Sequence, residues 1–295
     1  MAANVAAEAA KPTAILLLAH GGSAQWNQEV ERVRQTLTKA GYANEVAFGM
    51  ADVSAMDRAL AKLEALRPKP KQVVCVPLLV NSRSELYEHF EYVLGKRPKP
   101  SDVFINAVKE AVHDEARYPK NQHKAHHHNA IDSRRVATKL PLKLSPALDD
   151  HPHVARILWD RAKTVSRNPD KETVILISHG PYTDAMDILW MQNADQVARQ
   201  LKELGGFAEV KAFNLRDDSA REIREKKAKE IRSFVSQAQR RGQKILVLPH
   251  LVATNGIEKR LTETLGGLFY KMSRQALLPH PLIAQWVLSQ VKNNE

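Results

Sequence analysis

Cysteine is almost missing from this chain: Cys75 is the only one in 295 residues, so no disulfide forms within it. It sits inside an apolar run, where its simplest role is that of a small buried hydrophobe, and the usage fits a reducing compartment. Long apolar runs are missing too. The longest, such as Thr13 to Ala19 and Val73 to Val80, stay well short of the roughly 20 residues that a helix needs to cross a bilayer. The opening MAANVAAEAAKP has neither the basic start nor the apolar centre of a secretory signal. The expected location is therefore the cytoplasm, with the periplasm as the alternative if this tail is the remnant of a removed signal peptide. Aromatic residues make up only 6%, too few for a nucleic-acid stacking platform. Neither a helix-turn-helix pattern nor a zinc-ligand spacing is present, so no nucleic-acid partner is expected.

What is present is ordinary globular material with a strong positive bias. Hydrophobic residues at 43% supply a sizeable core, and the length suits two domains of average size. The formal net charge of +11 suits a polyanion, an anionic membrane face or a carboxylate-rich small molecule. About half of that excess lies between residues 96 and 143, with eleven Lys or Arg against five Asp or Glu.

The chain repeats itself. Residues 13–22 read TAILLLAHGG and residues 173–181 read TVILISHGP, each a buried strand running into a His-Gly turn, at His20 and His179. Residues 71–80, KQVVCVPLLV, are matched by 243–252, QKILVLPHLV, so that Pro77 corresponds to Pro249. A third pair is DHPHVARIL from Asp150 and PHPLIAQWV from Pro279, where a His-Pro step opens a closing amphipathic helix. Helical spacing over 24–40, 54–66, 194–204 and 218–241 alternates with short strand candidates at 45–48 and 209–213. Such alternation predicts an α/β fold of two tandem, doubly wound parallel units of four strands. The boundaries fall at a tail over 1–12, a first lobe over 13–165 and a second over 170–295. The first lobe is longer by about 43 residues, an insertion from about 96 to 139 with a helix expected over 103–115.

In a parallel sheet of strand order 2-1-3-4, ligands bind at the carboxyl ends of the strands. His20 and His179 end the first strand of their lobes, and the residues past Pro77 and Pro249 end the neighbouring third strand. Ser82 or Ser84 caps the next helix, which places Glu85 in its first turn and His89 one turn later on the same face. An acidic first-turn residue often just complements the helix dipole. Alternatively, His20 and Glu85 meet across the crevice as nitrogen and oxygen ligands for a divalent metal, with His89 supporting them. The second lobe offers His179 with His250 or Glu258, although His250 lies within the strand pattern and reads better as a packed residue. The insertion holds His113, His123, His126, His127 and His128, a tract able to chelate metal or, failing that, a solvated basic loop.

The run Ala19 to Ser23, the run Val76 to Val80, the closing segment from Ala147 to Ala162, and the same layout again from His179 together resemble the sirohydrochlorin cobaltochelatase and ferrochelatase family in its long form of two fused halves. The resemblance covers nearly the whole chain apart from the tail and the insertion. It implies a class II chelatase fold and ATP-independent insertion of Co²⁺ or Fe²⁺ into sirohydrochlorin or a related acidic tetrapyrrole, in cobalamin or siroheme biosynthesis. By that resemblance His20 matches the first metal-binding histidine. The second corresponds to Glu85 here, and in the second half to Ile257 beside Glu258. A His plus Glu pair resembles the arrangement of protoporphyrin ferrochelatases. Ser23, Ser82 and Arg83 are the expected substrate contacts. The metal is substrate, no permanently bound cofactor is expected, and the protein is expected to be a monomer or homodimer. A non-catalytic carrier of metal or tetrapyrrole on the same fold is the alternative.

Overall fold

The computed structural model describes residues 11–113, 134–253 and 257–295. In the first lobe, β1 (Thr13–Ala19), α1 (Ala24–Lys39), β2 (Asn44–Phe48), α2 (Val53–Ala65), β3 (Gln72–Pro77), α3 (Glu85–Val93), α4 (Asp102–His113) and β4 (Leu142–Leu144) follow one another. α5 (Pro152–Lys163) leads into β5 (Glu172–Ser178), α6 (Asp184–Gly205), β6 (Glu209–Asn214), α7 (Arg221–Arg240), β7 (Lys244–Pro249), α8 (Ile257–Thr264), β8 (Lys271–Met272) and α9 (Pro281–Lys292). The strands form two parallel sheets of the same order, β2-β1-β3-β4 and β6-β5-β7-β8.

The register shows why the repeated proline is tolerated in an inner strand. Pro77 lies beside Leu18 and Pro249 beside Ile177, each two residues before the strand-end histidine. The amides of Leu78 and His250 donate to the central strand at Leu18 O and Ile177 O, so the missing N–H of the preceding proline faces the other neighbour. On that side the ladder has already stopped, at Cys75 with Leu144 and at Val247 with Met272. No ladder bond is lost.

Strand alternation sorts the apolar residues into three layers. Outward-facing Leu16, Leu18 and Cys75 pack under α2, α3 and α4, while Ile175, Ile177 and Val247 pack under α7 and α8. Inward-facing Ile15, Leu17, Val174 and Leu176 share one central core with α1, α5, α6 and α9. The two closing helices cross over. α5 lies against α6 and β7 of the second lobe, and α9 lies against α1 and β3 of the first. The division at 165–170 therefore separates the sheets but not the helices that cover them.

Side chains lock both crossings. The Arg161 guanidinium of α5 donates to Ala276 O, Gln275 Oε1, Leu277 O and Pro279 O at 2.6–3.3 Å. At the other end, Gln72 and Lys143 donate to the carbonyl of Asn294, and the Tyr42 hydroxyl donates to Glu295. Of the expected tail, residues 1–10 lie outside the described residues. Lys11 is anchored, with Nζ donating to Ala40 O at 2.8 Å over the ring of Tyr42. The insertion helix is present as α4. No described helix is long and apolar enough to cross a membrane.

Candidate functional site

Both strand-end histidines have a defined tautomer. His20 Nδ1 lies 2.7 Å from Gly21 O, and a carbonyl can only accept, so Nδ1 carries the proton and Nε2 the lone pair. The ring stacks on Trp26 at 5.4 Å between centroids, held there by the turn at Gly21, whose φ of +74° favours glycine. His179 Nδ1 lies 3.4 Å from both carboxylate oxygens of Asp217, so Nδ1 carries a proton turned towards the protein, and in the neutral ring the lone pair is on Nε2. Hydrogen bonding of one ring nitrogen to a carbonyl or carboxylate is how proteins orient an imidazole that works through the other.

Asp217 comes from the loop after β6, which the strand order places beside the end of β5. It is buried, and Arg260 holds it from the far side through Nη1 to Oδ2 at 3.2 Å. Burial alone would raise the Asp217 pKa, but His179 and Arg260 hold it below the ordinary carboxylate value. The reverse applies to His179: partial burial works against its charged form, yet the Asp217 carboxylate outweighs this and raises its pKa. Asp217 was not singled out from sequence. The run NLRDD after the second strand of the lobe was the available signal, since strand order puts that loop next to the histidine.

Several expected site residues prove to be committed elsewhere. Glu85 is only 2% exposed, and its carboxylate accepts from Tyr182 N, Thr183 N and Thr183 Oγ1 at 2.8–3.1 Å. From the end of the loop after β3, Glu85 thus reaches across to the loop after β5 of the other lobe, a partnership that the expected pairing with His20 did not include. His89 is fully buried, packed against Tyr92 and Phe104 at 4.9–6.0 Å, and supports the insertion helix rather than a ligand. Ser82 donates its hydroxyl to Asp149 and accepts from Ala147 N, which makes it a brace of the loop; Ser84 is the cap of α3. Ser23 accepts from Trp26 N as the cap of α1 and stays exposed. Arg83 is exposed, as a substrate contact requires.

His250 is buried, with neither ring nitrogen bonded among the described residues, so the packed reading fits. Glu258 lies in α8, but its side chain is outside the described residues, as is that of His113; His123, His126, His127 and His128 are outside them altogether. Among the described residues no group of three or more His, Cys, Asp or Glu is arranged to hold a metal ion.

Burial pushes the pKa values of His89 and His250 down to about 4, from an ordinary 6.5. Their folded values are depressed, so the stability they permit is present above pH 6.5 and is lost as pH falls towards 4. In that window each costs about 1.4 kcal/mol per pH unit. Leucine at position 250 would match Leu78, its counterpart in the first lobe. His250→Leu is expected to raise stability at pH 5 and to flatten its loss between pH 6.5 and 4.5, as measured by urea unfolding. A variant as acid-sensitive as the wild type would show that His250 is not responsible.

Two lobes, one parallel sheet each, over a shared core: this α/β fold matches that of solved chelatase structures. The chain superposes on SirB from Bacillus subtilis, solved with Fe³⁺, with a TM-score of 0.59 and 16% identity over 95% of this chain and 94% of that one. CbiX, described as the terminal enzyme of siroheme biosynthesis in denitrifying bacteria, matches with a TM-score of 0.52 and 13% identity over 95% and 98%. DR2241 from Deinococcus radiodurans, a multi-domain protein described as structurally similar to chelatases, matches at 0.51 and 15% identity; 95% of this chain spans 54% of it. No family model matches the sequence, and no curated protein matches it by sequence.

Proposed function

We propose that this protein inserts a divalent metal, Co²⁺ or Fe²⁺, into sirohydrochlorin or a related acidic tetrapyrrole without ATP, as a step of siroheme or cobalamin biosynthesis. The observation that carries the reading is the pair of strand-end imidazoles, each with Nδ1–H turned to a protein oxygen and Nε2 bearing the lone pair. Insertion needs a weak ligand that delivers the metal and a base that removes two pyrrole protons. A neutral imidazole does either near neutral pH. The two have different partners: His179, whose pKa the Asp217 carboxylate raises, is suited to proton removal, and His20, turned to a carbonyl, to transient ligation.

The surroundings suit the substrate. Ile188 and Leu189 are exposed on the second turn of α6, beginning one turn after Thr183, and offer apolar surface to a macrocycle face. Arg83, Arg224 and Arg260 offer charge to its carboxylates, the last two through guanidinia already anchored on Asp217 O. The commitment of Glu85 favours a second reading, a carrier that binds without turnover.

Anaerobic incubation with sirohydrochlorin and Co²⁺, Fe²⁺ or Ni²⁺, followed by absorption, separates the two. Multiple turnovers above the uncatalysed rate, reduced by about 10²–10⁴ in His20→Ala and His179→Ala, support the chelatase. Stoichiometric binding with no acceleration supports the carrier, and no binding at all overturns both.

A further inference from the structure

Glu85 stands where the resemblance would put a second metal ligand, yet its carboxylate is spent on the backbone of the other lobe. We propose that Glu85 is a positioning residue that holds, from the first lobe, the loop carrying His179 in the second; the inference rests on the proposed role of His179.

The loop from His179 to the cap of α6 has little slack. His179 O accepts from Arg216 N at 2.7 Å. Gly180 has φ +81°, and a Cβ there would lie 2.7 Å from Asn214 and 3.1 Å from Arg216, so this position is closed to other residues. Pro181 is buried and fixes its own φ. The Tyr182 peptide is then gripped from both lobes. Its N–H donates to Glu85 at 3.1 Å, while its carbonyl accepts from Arg216 Nη2 at 2.6 Å and from Ser219 Oγ at 3.2 Å. Thr183, the N-cap of the 22-residue α6, gives both its N–H and its hydroxyl to Glu85.

An anion on one side and a buried cation on the other thus fix three backbone groups between the histidine and its helix. The arrangement is favourable for Glu85 in its own right, because a carboxylate at a helix N-terminus meets unpaired N–H groups and the positive end of the dipole. Three of its roughly four lone-pair sites are already taken by charge-assisted bonds in a buried place, two on Oε1 and one on Oε2. The same three bonds tie the separation of the lobes to the placement of His179, since a shift of α3 relative to α6 has to move this loop or break them.

The test compares Glu85→Gln, Glu85→Ala, Thr183→Val and Thr183→Ser in the full chain. In the metal-free protein, the ring signals of His20 and His179 are followed by NMR, a readout that does not need activity. The positioning role predicts that Glu85→Ala and Thr183→Val both displace the His179 signal, that Thr183→Ser restores it, and that the His20 signal stays. In turnover, the two disruptive variants should lose about tenfold in kcat with little change in KM for Co²⁺. A ligand role predicts the opposite pattern: Glu85→Ala raises KM for Co²⁺, and Thr183→Val behaves as wild type. An unmoved His179 signal in folded Glu85→Gln and Thr183→Val overturns the proposal. Should wild type prove inert as a chelatase while the signals move as expected, the positioning stands and only the reading of its purpose falls.

Discussion

Asp217→Asn is expected to lower the plateau rate of metalation about 10- to 100-fold, the usual cost of removing the group that orients a working imidazole. An amide oxygen still accepts from Nδ1–H, so the ring can keep its place, but the amide carries no charge to stabilise the imidazolium formed when a pyrrole proton is taken. The pH profile gives the sharper measurement. Asp217 raises the His179 pKa, so the wild-type rate climbs as pH rises through a value above the ordinary one for histidine. In Asp217→Asn that limb moves to lower pH while the plateau drops. A mutant with an unmoved limb would show that some other group supplies the base.

The second large effect concerns stability. Arg161→Ala is expected to cost about 3–5 kcal/mol in urea unfolding, because four acceptors, three of them carbonyls of the 276–279 segment, lose a shared charged donor in a buried place. Burial lowers the pKa of this guanidinium, but an arginine stays charged at every pH of interest, so the clasp does not titrate. Arg161→Lys is expected to recover less than half of the loss, since one ammonium cannot serve acceptors spread along the segment. The reason for so large an effect is the crossover: Arg161 lies in the closing helix of the first repeat and fastens a segment of the second. A cost below 1 kcal/mol would mean that α5 is held by its apolar face alone.

The same crossover marks the limit of what the sequence could say about domains. The repeat of Pro77 with Pro249 and His20 with His179, together with the run of short strands and helices, was enough to give the strand order and the edge on which the histidines lie. Those features are local: a buried strand needs a continuous apolar run, a His-Gly turn needs a left-handed residue, and a strand-end proline is tolerated only where the ladder has stopped. Each half, read alone, looks like a closed unit. Nothing in the periodicity of 152–163 or 281–292 says which sheet the apolar face covers, because either sheet presents similar aliphatic surface.

Side-chain partnership was the other thing only three dimensions could decide. Glu85 carries the same chemistry whether it binds a metal or caps a helix; only the structure shows that Tyr182 and Thr183, about a hundred positions away, bring three donors to it. His89 shares a helical face with Glu85, yet α4 covers it, so spacing predicted the face and packing decided what lay against it. Asp217 was legible only after the strand order was known, since its closeness to His179 comes from β6 lying beside β5. The amino-acid sequence thus determined the elements and the strand-end placement of both imidazoles, through short-range sterics and burial. The partner of each polar group was decided by the tertiary structure, because hydrogen bonds and charges follow distance in space and not along the chain.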